Sequence, residues 1–235
     1  MAGVVTEEMV EQAKRDVRAW NPLYQQRPAS EEGDYFKLEW FPEYDKLPDN
    51  FVKYGASDYA VTDGSGDFTE HGIFAVDPMS NIYVTDWWRS QTTSDAWIEG
   101  QCDLILGHTP SCWFGESGPI RRAVEPYLVR RMNERGAYCR IEWLPSVADK
   151  TTRCRSFQAL ASMGKVFVPR QARWKAELLG QLTRFPAGKY DDGVDVCSLI
   201  GRGLEQVQAP RRRWRRAEYD QAPRVLDGDR AWLAT

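Results

Sequence analysis

Hydrophobic and polar positions alternate along this chain with two different periods. Residues 6–20 carry helical spacing, and Asn21-Pro22 interrupts it. Residues 21–50 have no clear period and are rich in Pro, Gly and aromatics; Tyr24, Tyr35, Phe36, Trp40 and Phe41 are expected to pack an extended arm or linker. Regular patterning begins at Phe51. Residues 51–62 read as a strand, followed by the Gly-rich turn Asp63-Gly64-Ser65-Gly66-Asp67. Residues 72–77 form a second apolar strand, Pro78-Met79-Ser80-Asn81 a hairpin turn, and residues 82–89 an alternating third strand. Three consecutive strands of this kind predict an antiparallel meander.

Strands and helices then alternate. Ser94 stands where it can cap a helix over 95–107, with Trp97, Ile98, Cys102 and Ile105 on one face. Residues 112–116 make a short apolar strand that ends in Glu116. Gly118-Pro119 opens a helix that closes at Gly136 and carries Pro126 as an expected kink. A strand over 138–144, a basic helix over 150–163, a short strand over 165–168, an amphipathic helix over 172–184 and a last helix over 194–206 follow. A meander followed by alternating helices and strands implies parallel strands joined by right-handed crossovers. The expected class is α/β, a mixed central sheet with helices on both faces, in the order of the RNase H-like fold. The expected division is an N-terminal helix and arm at 1–50, a core domain at 51–206 and an Arg-rich tail at 207–235.

Composition places this pattern in a globular protein. Apolar residues make up 42% and charged residues 28% of 235. No stretch approaches the roughly 20 apolar residues of a membrane span, and the acidic N-terminal helix pattern does not read as a secretory signal. The five scattered cysteines lack metal-finger spacing and read as buried reduced thiols. The net charge of −3 conceals a strong asymmetry. Residues 1–120 hold 8 Lys/Arg against 21 Asp/Glu, whereas residues 121–175 hold 13 against 4. An acidic site beside a basic track for phosphates would have this profile, as would two solvated faces.

Chemistry narrows to carboxylates. Asp58 lies in an apolar strand, Glu116 ends another, and Asp191, Asp192 and Asp195 open the last helix. Spacings of three and four residues put either Asp191 or Asp192 on one helix face with Asp195. Mg²⁺ and Mn²⁺ prefer such oxygen ligands, and two ions about 3.5–4 Å apart can activate water and stabilise the leaving oxygen of a phosphodiester. Taken singly, each helix-opening acid also fits a cap or turn. Lys150, Arg153 and Arg155 on one helix, with Arg121 and Arg122 on another, are candidates for DNA backbone contacts. Other chemistries find little support. There is no G-x-x-x-x-G-K-[ST] loop, His71 and His108 lack metal spacing, and Gly115-Glu116-Ser117-Gly118 lacks the spacing of a nucleophile elbow.

Several segments together resemble the nuclease domain of phage terminase large subunits. Leu23-Tyr24-Gln25-Gln26-Arg27-Pro28, then Glu32-Gly33-Asp34-Tyr35-Phe36-Lys37 and Trp40-Phe41, resemble the stretch joining that family's ATPase and nuclease domains. Residues 82–89, 149–153 and 164–169 resemble later elements, and residues 185–195 resemble the closing motif; the likeness spans about 20–205. Two positions depart from the family pattern: Tyr59 follows Asp58 where Pro is usual, and Tyr190 precedes the two acids where His is usual. The resemblance implies a DNA-packaging endonuclease that cuts concatemeric viral DNA. Its metal ligands would be Asp58, Glu116 and Asp191 or Asp192, with Mg²⁺ or Mn²⁺ as cofactor. Its partners would be double-stranded DNA, an ATPase domain, a small terminase subunit and the portal, with no membrane, in the cytoplasm of an infected bacterium. The ATPase half is absent from the sequence, so an excised domain is expected. Another RNase H-like enzyme (a resolvase or integrase) and a non-catalytic DNA- or portal-docking module are the alternatives.

Overall fold

Side chains alternate across a strand, so Tyr54, Ala56 and Asp58 face one side of the first core strand while Gly55 and Ser57 face the other. The computed structural model describes residues 35–60, 68–146 and 149–207 and builds its sheet on this parity. Its strands are β1 (Glu43–Tyr44), β2 (Val52–Asp58), β3 (Thr69–Val76), β4 (Ile82–Ser90), β5 (Cys112–Ser117), β6 (Arg140–Pro145) and β7 (Val166–Pro169). The helices are α1 (Ser94–His108), α2 (Pro119–Arg135), α3 (Lys150–Arg153), α4 (Arg155–Ser162), α5 (Lys175–Arg184) and α6 (Asp192–Gln206). The expected helix at 6–20, the Gly-rich turn at 63–67 and the tail beyond 207 lie outside the described residues.

The strands form one seven-stranded sheet in the order β1-β7-β4-β3-β2-β5-β6. β3 runs antiparallel to its neighbours β2 and β4, and every other adjacent pair is parallel. The run β4-β3-β2-β5-β6 is the expected RNase H-like arrangement. Each face has its own core. One side packs Tyr54, Ala56, Phe114 and Leu144 against Phe157, Leu178, Val196 and Ile200 from α4, α5 and α6; Phe36 and Phe41 of the arm are buried with them. On the other side Ile73 and Trp113 pack against Trp97, Ile98, Cys102, Leu128 and Met132 from α1 and α2. Gly203 lets α6 settle closely onto the sheet, because a Cβ there would stand 2.6 Å from the ring of Phe114.

Several boundaries differ from the sequence expectation for identifiable reasons. Thr93, not Ser94, occupies the cap position of α1, and its side chain makes no capping hydrogen bond. The basic helix splits at Cys154, whose thiol is buried near the Val194 carbonyl, while the Asp149 side chain caps the first piece at the Thr152 N–H. β3 begins at Thr69 rather than Gly72, because Glu70 and His71 are fully buried in the sheet with polar partners. The helix α2 continues through Pro126, leaving the Arg122 carbonyl without its helical donor on an exposed turn. The two-residue β1 pairs with β7 and had no sequence signal. All five cysteines are free, four of them buried.

Candidate functional site

The pleat decides which acids can meet. Tyr54, Ala56 and Asp58 share a sheet face, and the parallel register of β2 with β5 puts Cys112, Phe114 and Glu116 on that same face. Both carboxylates lie at the carboxyl-terminal ends of adjacent parallel strands. The covering element is α6, whose first turn carries Asp192 and Asp195, with Asp191 at its cap position. The backbone N–H groups of Val194 and Asp195 donate to the Asp191 carbonyl at 3.0 and 3.2 Å, which starts the helix at the acids.

Two cations stand among the carboxylates. Lys150 Nζ lies 2.6 Å from Asp191 Oδ1 and 2.5 Å from Asp195 Oδ2. Arg153 forms an ion pair with Glu116 and places Nη2 3.4 Å from Asp195 Oδ1. Both come from α3, oriented by the Asp149 cap. Among the described residues, no three His, Cys, Asp or Glu side chains are arranged by themselves around a metal position; Lys150 and Arg153 are interleaved with the acids instead.

The charges are unequal in number. Glu116, Asp191 and Asp195 pair directly with these two cations, while Asp58 feels the charges of Asp195, Asp192, Lys150 and Glu116. Burial, reinforced by the charges of Asp195 and Asp192, holds the Asp58 carboxyl well above its ordinary range. Burial also raises Asp195, against the opposing charge of Lys150. Lys150 is itself pulled down by burial, yet the charges of Asp195 and Asp191 prevail and its pKa lies above that of an ordinary lysine. These carboxylates offer only oxygen donors, the kind a hard divalent cation takes, and such a cation would relieve the mutual repulsion that raises Asp58 and that Lys150 and Arg153 relieve only in part.

The other candidate residues sit at greater remove. Arg121 pairs with Glu125 at 2.8 Å and lies over the Trp143 ring, Arg122 is exposed in the first turns of α2, and Arg155 is exposed at the start of α4. One group of residues behind the acids escaped the sequence reading. Glu70, opposite Asp58 in the β2–β3 ladder, is fully buried and accepts hydrogen bonds from Trp87 Nε1 at 2.6 Å, Arg89 Nε at 2.7 Å and Gln181 Nε2 at 2.7 Å. In the sequence Glu70 stands beside Thr69 and His71, just ahead of the apolar run that starts at Gly72, and nothing local marks it.

No family model matches the sequence, and no curated protein matches it. Solved structures do match in fold. The large terminase nuclease of thermophilic phage G20c with bound zinc aligns with TM-score 0.51 at 14% identity, covering 71% of this chain and 96% of that one. The human cytomegalovirus terminase nuclease domain, manganese-soaked and inhibitor-bound, aligns with TM-score 0.53 at 11% identity, covering 72% and 94%. The large terminase of another thermophilic bacteriophage, in complex with ADP, aligns with TM-score 0.51 at 12% identity over 86% of this chain, which spans 52% of that longer protein. Among the described residues no helix is long and apolar enough to cross a membrane. The seven-stranded sheet and its covering helices therefore have the RNase H-like fold of terminase large-subunit nuclease domains.

Proposed function

We propose that the chain is a divalent-metal-dependent DNA endonuclease that cuts concatemeric viral DNA during genome packaging. One observation carries the reading: two adjacent parallel strand ends and the first turn of α6 deliver Asp58, Glu116, Asp191, Asp192 and Asp195 to one edge of the sheet. Neighbours of the same fold were solved with zinc, manganese and cobalt, which supports a divalent cation here. Asp58, Glu116 and the α6 acids would hold Mg²⁺ or Mn²⁺, two ions in this reading. When bound, such ions supply Lewis-acid charge and a water of lowered pKa for phosphodiester hydrolysis.

The chain's own residues supply placement and charge. Strand ends fix Asp58 and Glu116 on a rigid sheet, so their separation is set by the β2–β5 register rather than by a loop. Lys150 and Arg153 hold the acidic cluster together as ion pairs and stand ready to contact phosphate oxygens once the acids have another partner. Arg121, Arg122 and Arg155 extend the basic surface along the DNA backbone, a contact that positions duplex without reading sequence. Double-stranded DNA is the proposed substrate. A terminase ATPase domain, small subunit and portal are the proposed partners, in the cytoplasm of an infected bacterium.

Incubation with supercoiled plasmid tests this. Nicked and linear products should appear with Mn²⁺ or Mg²⁺ and vanish with chelator, and Asp58→Asn should lower the rate at least about a hundredfold. Undiminished cleavage by Asp58→Asn would refute the site. Strong preference for branched over linear duplex would move the assignment to a resolvase.

A further inference from the structure

The two adjacent acids at the start of α6 are bracketed by a buried polar assembly outside the carboxylate cluster. On the far side of Asp192, the Gly193 N–H donates to Gln181 Oε1 at 2.8 Å, and Gln181 Nε2 donates to Glu70 at 2.7 Å. On the near side of Asp191, the Tyr190 ring lies 5.5 Å from the Arg89 guanidinium, which also covers the Phe68 ring at 3.2 Å and donates to Glu70 at 2.7 Å. Both ties end on the same carboxylate. Glu70 is in turn the cross-strand partner of Asp58.

The donors match the acceptor closely. Glu70 presents two oxygens to three N–H donors from β4 and α5, with no exposure to solvent. Gln181 is 4% exposed and uses both ends of its amide, donating to Glu70 and accepting from Gly193. Gly193 makes the approach close: a Cβ there would stand 3.0 Å from Gln181 Oε1 and 3.1 Å from Glu70 Oε2, so those groups would have to give by a few tenths of an ångström.

We infer that Glu70, acting through Gln181 and Arg89, is a positioning residue that sets the first turn of α6 against Asp58 and so fixes the spacing of the carboxylates from the two elements. The inference rests on the metal-site reading above. Groups that orient metal-binding side chains typically change metal affinity about ten- to a hundredfold when removed.

The test uses Gln181→Met, which keeps the length of the side chain and deletes both hydrogen bonds, with Glu70→Gln as a second variant. Mn²⁺ affinity by paramagnetic resonance titration and hydrogen exchange of the α6 amides are measured beside thermal melting. Gln181→Met should remain folded, exchange its Gly193–Asp195 amides at least about tenfold faster, and bind Mn²⁺ at least about tenfold more weakly. Should Gln181→Met fail to fold, Glu70→Gln is read in the same way. Asp58→Asn serves as the reference for loss of the metal site. Wild-type protein that binds no Mn²⁺ overturns the metal-site reading and this inference with it. Binding that Asp58→Asn abolishes but both Gln181→Met and Glu70→Gln leave unchanged overturns the positioning role alone.

Discussion

Ser57 is a single buried hydroxyl with two obligations, and its deletion should be costly. Trp113 Nε1–H donates to Ser57 Oγ at 2.7 Å, and Ser57 Oγ lies 2.7 Å from His71 Nδ1. The other ring nitrogen, His71 Nε2, lies 2.9 Å from the Trp97 carbonyl, which can only accept. Nε2 therefore carries the proton, Nδ1 accepts, and Ser57 donates to it. Burial pushes the His71 pKa down to about 4, so the ring is neutral at pH 7, as this pattern requires. Ser57→Ala leaves an indole N–H and an imidazole nitrogen without partners in a dry core. At about 1–3 kcal/mol for each orphaned group, the expected loss is about 2–5 kcal/mol, a large part of a typical domain's stability. The pH dependence has a definite sign. The folded pKa lies below the ordinary 6.5, so the unfolded chain takes up a proton that the folded one excludes. This contribution to stability is complete above pH 6.5 and falls by about 3 kcal/mol as pH drops to 4. Urea unfolding followed by tryptophan fluorescence at several pH values measures both effects, and ring nitrogen NMR shifts report the tautomer. A Ser57→Ala loss below about 0.5 kcal/mol, or an Nδ1–H tautomer, would refute the hydrogen-bond directions.

Other perturbations have equally defined outcomes. Gly203→Ala drives a methyl group into the Phe114 ring and should cost about 1–3 kcal/mol in urea unfolding; no loss would mean that α6 sits farther from the sheet. Lys150→Met removes the shared partner of Asp191 and Asp195, which are 34% and 14% exposed, so after allowance for solvent screening metal-free stability should fall by about 1–2 kcal/mol. The same variant should gain more than wild type in thermal shift on adding Mn²⁺, and an equal gain would contradict the charge-surplus account. Arg89→Lys keeps the charge but loses the flat guanidinium over Phe68 and Tyr190; it should stay folded and weaken Mn²⁺ binding about tenfold, and an unchanged affinity would count against the tie from Arg89 to the start of α6.

Much of the candidate site's geometry follows from local rules that its acids obey. Asp58 lies within, and Glu116 closes, an apolar run whose period of two assigns it to a face, and Asp192 and Asp195 stand at the start of a helix at a spacing that aligns them. The strand-and-helix order likewise followed from periodicity and turn residues. What stayed hidden depends on partners distant in sequence. Glu70 and His71 look like a polar interruption of β3 until Trp87, Arg89 and Gln181 satisfy one and Ser57 and Trp97 the other. The β1–β7 pairing spans more than a hundred residues and involves only two in β1. Charge and helical spacing alone mark Lys150 and Arg153 as candidates for phosphate contact; their engagement with the acids depends on Glu116, Asp191 and Asp195, distant in sequence.

If the acids at the carboxyl-terminal ends of β2 and β5 and the start of α6 form a divalent-metal site, an anomalous difference map from a Mn²⁺-soaked crystal will locate the ion. Density should appear bounded by Asp58, Glu116 and one or more of Asp191, Asp192 and Asp195, with the contact of Lys150 or Arg153 to those acids loosened. A map with no manganese there, and both cations still paired to the acids as they are now, would contradict the metal-site reading.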